Sequence, residues 1–314
     1  MKAVQFAKFG DASMLESVEK DRPSLSSGQV LIRAASAGLN PIDWKTRKGM
    51  GFVAKQISDR LPWVPGFDIA GIIEEVAPDV TDFKPGDHVM GICGFQTDGG
   101  GYAQLVRATA AHIVHCPAAI DLKTAGAIPL AALTAWQALF RTGNLRKGEI
   151  VLIHAAAGGV GHFAVQFAKW KGANIIATAS EKNRDFLKSF GVDEVIDYKS
   201  QKFTEECENI DFILDGVGGQ IGIDSLKVLR PGGTLVTLPT LSAPQIIEAA
   251  KGTHDIVKGM TMEPLAGDLA EIAALVSEKK VKVDIEKAFT LEEAVEAHTL
   301  LEKGSVRGKL IFNP

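Results

Sequence analysis

Along the first 120 residues, apolar and polar positions alternate in short runs broken by Gly and Pro. "QVLIRAAS" (29–36), "DIAGIIEEV" (68–76), "DHVMGI" (87–92) and "YAQLVRA" (102–108) are β-branched or alternating and read as strands. "VPGFD" and "KPGDH" supply turns between them. This stretch is predicted to be an all-β unit with long loops. From about residue 124 the periodicity changes. "IVLIH" (150–154) is a continuous apolar run, as a buried parallel strand requires. The helix after it carries Phe163, Phe167 and Trp170 on one face. "NIIATA" (174–179), a helix at 182–190, "DEVIDY" (193–198), "DFILDGVGG" (211–219) and "GTLVTLP" (233–239) continue a βαβαβ series, which predicts a doubly wound parallel sheet. Asp268 is placed to cap a helix with Leu269, Ile272, Ala273 and Val276 on one face. Thr290 and Glu293 form a capping box before a helix and a last strand. That last strand matches the β unit in character, so the chain is expected to return to its first domain. The predicted division is 1–123 with 286–314 as one domain and 124–285 as the other.

Composition narrows the function classes. The 314 residues exceed one ordinary core and suit two domains. Apolar residues make up 46% and charged residues 23%, the balance of a globular protein in water. With 34 basic against 38 acidic residues, the net charge of −4 speaks against a nucleic-acid or anionic-membrane partner. Cys93, Cys116 and Cys207 are too few and too scattered for a disulfide framework, which fits a reducing, cytoplasmic compartment. "MKAVQFAKFG" alternates like a strand and has the character of neither a signal nor a transit peptide. No apolar run is long enough to predict a membrane span.

The chemistry centres on "HAAAGGVGHFAVQFAK" (154–169). A strand, a turn of small residues and a helix N-terminus make an anion site, because the free first-turn N–H groups and the helix dipole both favour phosphate. Residues 156–161 follow G-x-G-x-x-G with Ala156 in the first Gly position. Ala157, Gly158, Gly159, Val160 and Gly161 are therefore expected to hold a dinucleotide pyrophosphate. Gly158 allows its close approach, and Gly161 allows helix and strand to pack. Sheets that bind NAD place an acid about 20 residues further on, at the end of the second strand. Here that slot is Ser180, with Glu181 one place beyond and Lys182 and Arg184 following. A hydroxyl with nearby cations suits a 2′-phosphate, so NADPH is the expected cofactor. The alternative is that Lys182 and Arg184 simply open the next helix as solvated charges.

"AGLNPIDWKTRKG" (37–49), "PGFDIAG" (65–71), "KPGDHV" (84–89), "AAAGGVG" (155–161), "DGVGG" (215–219) and "RPGGTLV" (230–236) occur in the order found in one family. Over essentially its whole length the chain resembles the zinc-independent quinone oxidoreductase branch of the medium-chain dehydrogenase/reductase superfamily. The resemblance implies an α/β fold: a Rossmann domain flanked by a GroES-like β-barrel domain. It also implies hydride transfer to a quinone or α,β-unsaturated carbonyl, and a homodimer as the family often forms. The alternative within the fold is a catalytically weak nucleotide-binding or structural relative.

Zinc alcohol dehydrogenases carry a Cys in the segment that reads "GLNPID" here and a His where Phe67 stands. Asn40–Pro41 and Phe67 cannot serve as ligands, so no metal site is expected. Cys116 beside His115 and His112 is the one tempting cluster, and strand alternation would split it between faces. Without a Lewis acid, conjugate or quinone reduction is the easier reaction. By resemblance, Asn40 lies in a loop near the nicotinamide ribose or the substrate carbonyl. Lys45 stands where many relatives have Tyr; it is either a group that stabilises or protonates an oxyanion, or a structural lysine. Asp43 could pair with Lys45, and Trp44 is read as core. Thr134, Tyr198, Val217, Leu238 and Lys309 match cofactor-contacting positions of the family, with strand-end packing as the plainer explanation. Asp215 is read as orienting a loop.

Overall fold

The computed structural model describes residues 1–314, which pack as two compact units. One comprises Met1–Leu133, Glu263–Lys279 and Val283–Pro314; the other comprises Thr134–Met262 and Lys280–Lys282. No helix is long and apolar enough to cross a membrane.

The second unit is built on a six-stranded sheet. Its spatial order is Glu194–Asp197, Asn174–Ala179, Ile150–Ile153, Ile210–Asp215, Leu229–Thr237 and Ile256–Gly259. All five pairings are parallel. Numbered along the chain, the strands lie 3-2-1-4-5-6, the doubly wound order of dinucleotide-binding sheets. The first strand is short and apolar because helices cover both faces, and Val151, Leu152 and Ile153 are fully buried. The helix Gly161–Lys171 buries Phe163 and Phe167, each contributing about 1.5–3 kcal/mol of apolar burial. It ends at Gly172 in the left-handed conformation. Trp170 departs from expectation: it is 47% exposed and packs beside Trp136 at 5.7 Å instead of in the core. It is the last residue but one of the helix.

The first unit holds a seven-stranded, mostly antiparallel sheet. The long strand Gln29–Leu39 is its axis. It pairs with Asp68–Val76, with Leu105–Thr109 and, at residues 37–39, with the returning strand Lys309–Phe312. Phe6, Phe67, Tyr102, Phe289 and Phe312 fill one core of this unit. Three local expectations change. The strand foreseen over 102–108 starts at Leu105, because Tyr102 is drawn into the core and its hydroxyl binds Asp43. "NPIDWK" is a short helix, Pro41–Arg47, and not a loop: Asn40 caps it and Pro41 occupies its first position. Asp268 is not a cap; Leu265 occupies that position and Asp268 lies inside the first turn of Ala266–Ser277, where its charge suits the helix dipole. The Thr290–Glu293 capping box forms as written.

Between the first strand and its helix the backbone is tightly folded. A Cβ at position 161 would lie 2.3 Å from the Ala155 carbonyl oxygen and 2.6 Å from the Ala156 Cα. Both neighbours are main chain and cannot move aside cheaply. Gly161→Ala is therefore expected to lower the unfolding free energy by about 1–3 kcal/mol, measured by urea denaturation.

Candidate active site

In the parallel-sheet unit, the expected nucleotide residues stand just past the carboxyl ends of the strands, where such sheets bind ligands. After Ile153 the chain turns sharply at Ala155, which has φ +52°. Ala157, Gly158, Gly159 and Val160 lead directly into the helix that begins at Gly161. A Cβ at Gly158 would meet only the Ala155 carbonyl oxygen, at 3.3 Å, so its outer face is open. The Ala156 N–H donates to the Thr178 carbonyl at 3.1 Å and ties the turn to the second strand.

That strand ends at Ala179, and Ser180 follows, 7% exposed. Tyr198 follows the adjacent third strand, its N–H on the Ala179 carbonyl at 3.2 Å and its side chain 62% exposed. Ser180, exposed Lys182 and Tyr198 are thus gathered at neighbouring strand ends. Arg184 is held elsewhere. It grips Glu181 at 2.7–3.0 Å and donates to the Val195 carbonyl at 2.8 Å. Past the fourth strand, Asp215 accepts the N–H groups of Val217 and Gly218 at 2.9 and 2.8 Å and the Thr237 hydroxyl at 2.8 Å. It orients this loop, as expected from the sequence. Val217 is half exposed, and Leu238 donates its N–H to the Asp215 carbonyl at 2.9 Å. Thr134 lies in the helix Pro129–Trp136, half-buried.

His154 was not anticipated as a site residue. It is buried at the end of the first strand, with Nδ1 3.0 Å from Thr178 Oγ1 and Nε2 3.0 Å from Ser225 Oγ. The Ser225 hydroxyl donates to the Ile221 carbonyl, so it accepts from His154 Nε2–H, and Nδ1 accepts from Thr178. Burial is what keeps the ring neutral near pH 7 and so makes Nδ1 the acceptor. Burial lowers its pKa to about 4, against the raising effect of the Asp215 carboxylate.

In the β unit, two expected residues meet. Lys309 Nζ donates to Asn40 Oδ1 at 2.5 Å and to the Leu39 carbonyl at 2.9 Å, and lies 3.5 Å from Asp68 Oδ2. Asn40 Nδ2 donates to the same Asp68 oxygen at 2.7 Å. Asn40, Asp68 and Lys309 are all buried. Three acceptors around the amine, and three donors on the carboxylate (Asn40, Lys309 and the Leu130 N–H), describe an ammonium–carboxylate pair, although burial pushes the carboxyl pKa up and the amine pKa down. Asp68 escaped the sequence reading because it looks like one more residue of an alternating strand.

Lys45 is apart from this group. It is half-buried, its pKa lowered by desolvation, and its ammonium lies 5.7 Å from the Trp44 ring centre. Asp43 does not pair with it. The Asp43 carboxylate turns inward, accepting the Asn40 N–H at 2.8 Å and the Tyr102 hydroxyl at 2.7 Å, and burial pushes its pKa up to about 7. Nor do Cys116, His115 and His112 converge: Cys116 faces the Pro117 and Ile120 carbonyls, and the His115 ring packs on Phe83 at 4.9 Å.

Residues 26–118 match the alcohol dehydrogenase GroES-like domain family, and residues 190–312 match a family described as zinc-binding dehydrogenase. A chloroplastic quinone-oxidoreductase homolog of Spinacia oleracea is 31% identical, the match covering 100% of this chain and 98% of the relative. The chain belongs to the quinone oxidoreductase branch of the medium-chain dehydrogenase/reductase superfamily. In solved structures the likeness extends to the whole fold. The quinone oxidoreductase from Coxiella burnetii is 42% identical, with a TM-score of 0.97 over 100% of this chain and 99% of that one. The Escherichia coli quinone oxidoreductase complexed with NADPH is 26% identical, with a TM-score of 0.89 over 100% of both chains. As a member of this branch the chain is an NAD(P)H-dependent oxidoreductase, with a Rossmann domain and a GroES-like domain.

The neutral His154 makes stability pH-dependent. Its folded pKa of about 4 lies below the ordinary histidine value of 6.5, so the unfolded chain takes up the proton first as pH falls. Its contribution is complete above pH 6.5 and is lost between 6.5 and 4, on the order of 3 kcal/mol. Asp43, with its raised pKa, shifts stability the other way over part of this range. Urea denaturation of wild type and His154→Gln, each at pH 7 and pH 4.5, separates the two: the variant is expected to lose less stability on acidification than the wild type.

Proposed function

We propose that the protein is a zinc-independent, NADPH-dependent reductase of quinones or α,β-unsaturated carbonyls. The observation that carries this reading is the end of the second parallel strand. Of the acids there, Glu181 is taken up by Arg184, whose hydrogen bonds lower the carboxyl pKa, and Asp197 by the Lys199 N–H and the Ser200 hydroxyl. Ser180, Lys182 and Tyr198 remain beside them, a hydroxyl, an exposed ammonium and an exposed phenol. Such a set favours a 2′-phosphate over a ribose 2′-hydroxyl, which asks for a free carboxylate.

The rest of this face fits a dinucleotide. The open Gly158, the crowded Gly161 and the helix N-terminus suit a pyrophosphate on the turn Ala157–Gly161. Val217, Leu238, Thr134 and Lys309 are the further residues proposed to serve NADPH binding, Lys309 through the Asn40 side chain that it holds. Bound NADPH supplies the hydride.

A zinc-free reaction is supported by the residues where ligands would be needed. Asn40 is bonded to Asp68 and Lys309, and Phe67 is a core residue packed against Trp63 and Phe95. Quinones and enones accept hydride without a Lewis acid because the resulting charge delocalises onto oxygen. The chain must then stabilise that oxygen and provide a proton. Lys45 is the residue proposed for this: burial weakens its hold on the proton, and no carboxylate stands beside it to restore it. The three cysteines are free, in keeping with a cytoplasmic setting.

Initial rates of NADPH and NADH oxidation, with a 1,4-quinone and a 2-alkenal, test this. Metal-stripped protein should oxidise NADPH faster than NADH with at least one acceptor. Lys182→Ala should raise KM for NADPH about tenfold and leave that for NADH unchanged, one phosphate contact being worth about 1.4 kcal/mol. Lys45→Met should lower kcat about tenfold or more. Activity lost on chelation and restored only by zinc would overturn the reading.

A further inference from the structure

We propose that Asp68 is a positioning residue of the candidate active site, its carboxylate fixing the Asn40 amide and the Lys309 ammonium in the single arrangement in which Asn40 serves the reaction. This rests on the function proposed above, with Asn40 near the nicotinamide ribose or the substrate carbonyl as the family resemblance implies, and adds Asp68 to it.

Three observations carry it. First, the arrangement has one solution. Lys309 only donates and ionised Asp68 only accepts, so Asn40 must turn Oδ1 to Lys309 and Nδ2 to Asp68. The amide cannot flip without losing both bonds. Second, Asp68 joins separate segments. Its Oδ2 takes Asn40 and faces Lys309, while its Oδ1 accepts the Leu130 N–H at 2.6 Å. The head of the Pro41–Arg47 helix, the returning strand and the chain at Leu130 are thereby set by one carboxylate. Third, the fold makes room for that group. A Cβ on Gly38 would lie 2.4 Å from Asp68 Oδ2 and 2.5 Å from the Gly126 carbonyl oxygen. A fully buried ion pair is a weak source of stability, since desolvation offsets its attraction. Its retention here is better explained by orientation than by stability.

Asp68→Asn, Asn40→Ala and the double variant form the test, with kcat, KM and thermal midpoint measured for each in the full chain. Asp68→Asn keeps the shape and removes the charge. It is expected to lower kcat about tenfold or more with KM for NADPH within twofold of wild type. In the Asn40→Ala background the same change should cost less than twofold, because Asp68 acts through Asn40. Losses that multiply, or an Asp68→Asn enzyme with wild-type kcat, would overturn the proposal. Should Asp68→Asn fail to fold, Asp68→Asn with Lys309→Gln removes both charges together and leaves neither uncompensated. A folded double-neutral enzyme with unchanged kcat overturns the proposal, and one with lowered kcat in which Asn40→Ala then costs less than a further twofold supports it. Nitrogen-labelled spectra give a readout free of turnover: the Asn40 amide protons should exchange slowly in wild type and fast in Asp68→Asn. A wild-type chain without turnover would instead sink the proposed function, while those spectra still decide whether Asp68 holds Asn40.

Discussion

Main chain meets main chain where the first parallel strand passes into its helix. The Ala155 carbonyl and the Ala156 Cα leave no space for a side chain at position 161. This contact brings the helix start directly onto the strand end. Other features of that end follow from it. The Ala156 N–H reaches the second strand at Thr178, two residues before Ser180. His154 reaches the same Thr178 through its side chain and Ser225 on the other side. The left-handed Ala155 is a local strain of about 1–3 kcal/mol that these tethers hold in place.

Each unit also contains a buried carboxylate whose role is to receive donors. Asp215 accepts two backbone N–H groups and a hydroxyl; Asp68 accepts a backbone N–H, an amide and the approach of an ammonium. Neither has an oxygen left without a partner, which is why such groups are tolerated among apolar side chains. The two solutions differ in charge. Asp215 has neutral donors and shapes a loop. Asp68 has a cation beside it, and that cation is itself saturated by three acceptors. All three N–H groups of that lysine are thus committed within the cluster.

The architecture was legible because it rests on periodicity and on glycine. A continuous apolar run followed by small residues and a 3.6-residue period specifies strand, turn and helix, and the 3-2-1-4-5-6 sheet follows from repeating that unit. What failed to show was side-chain direction in short elements. "NPIDWK" is too brief for a period, so the helix that turns Asp43 inward to Tyr102 and leaves Lys45 half outside was read as a loop. Asp68 opens a strand and His154 directly follows one, each an ordinary member of an apolar pattern. Only the partners brought by distant segments, Lys309 and Ser225, distinguish them. Asp268 shows the converse: the residue type suited a cap, but the apolar face of the helix continued back to Leu265.

The proposed preference for NADPH turns on a distinction of this second kind. In sequence, Glu181, Lys182 and Arg184 offer one acid and two bases, and the acid could serve a ribose hydroxyl as readily as either base could serve a phosphate. Spacing decides among them. Positions 181 and 184 are three apart on a helical turn and face each other, so the guanidinium closes on the carboxylate as a fork. Arg184 is also anchored by the Val195 carbonyl, which fixes the pair against the third strand. The acid is thereby neutralised by the base that matches its geometry, and the base left over, Lys182, is the flexible one. A compact ammonium on a long stem can meet a doubly charged phosphate from several directions, whereas the planar guanidinium is already committed. The cation left without an acidic partner at the strand end is therefore Lys182.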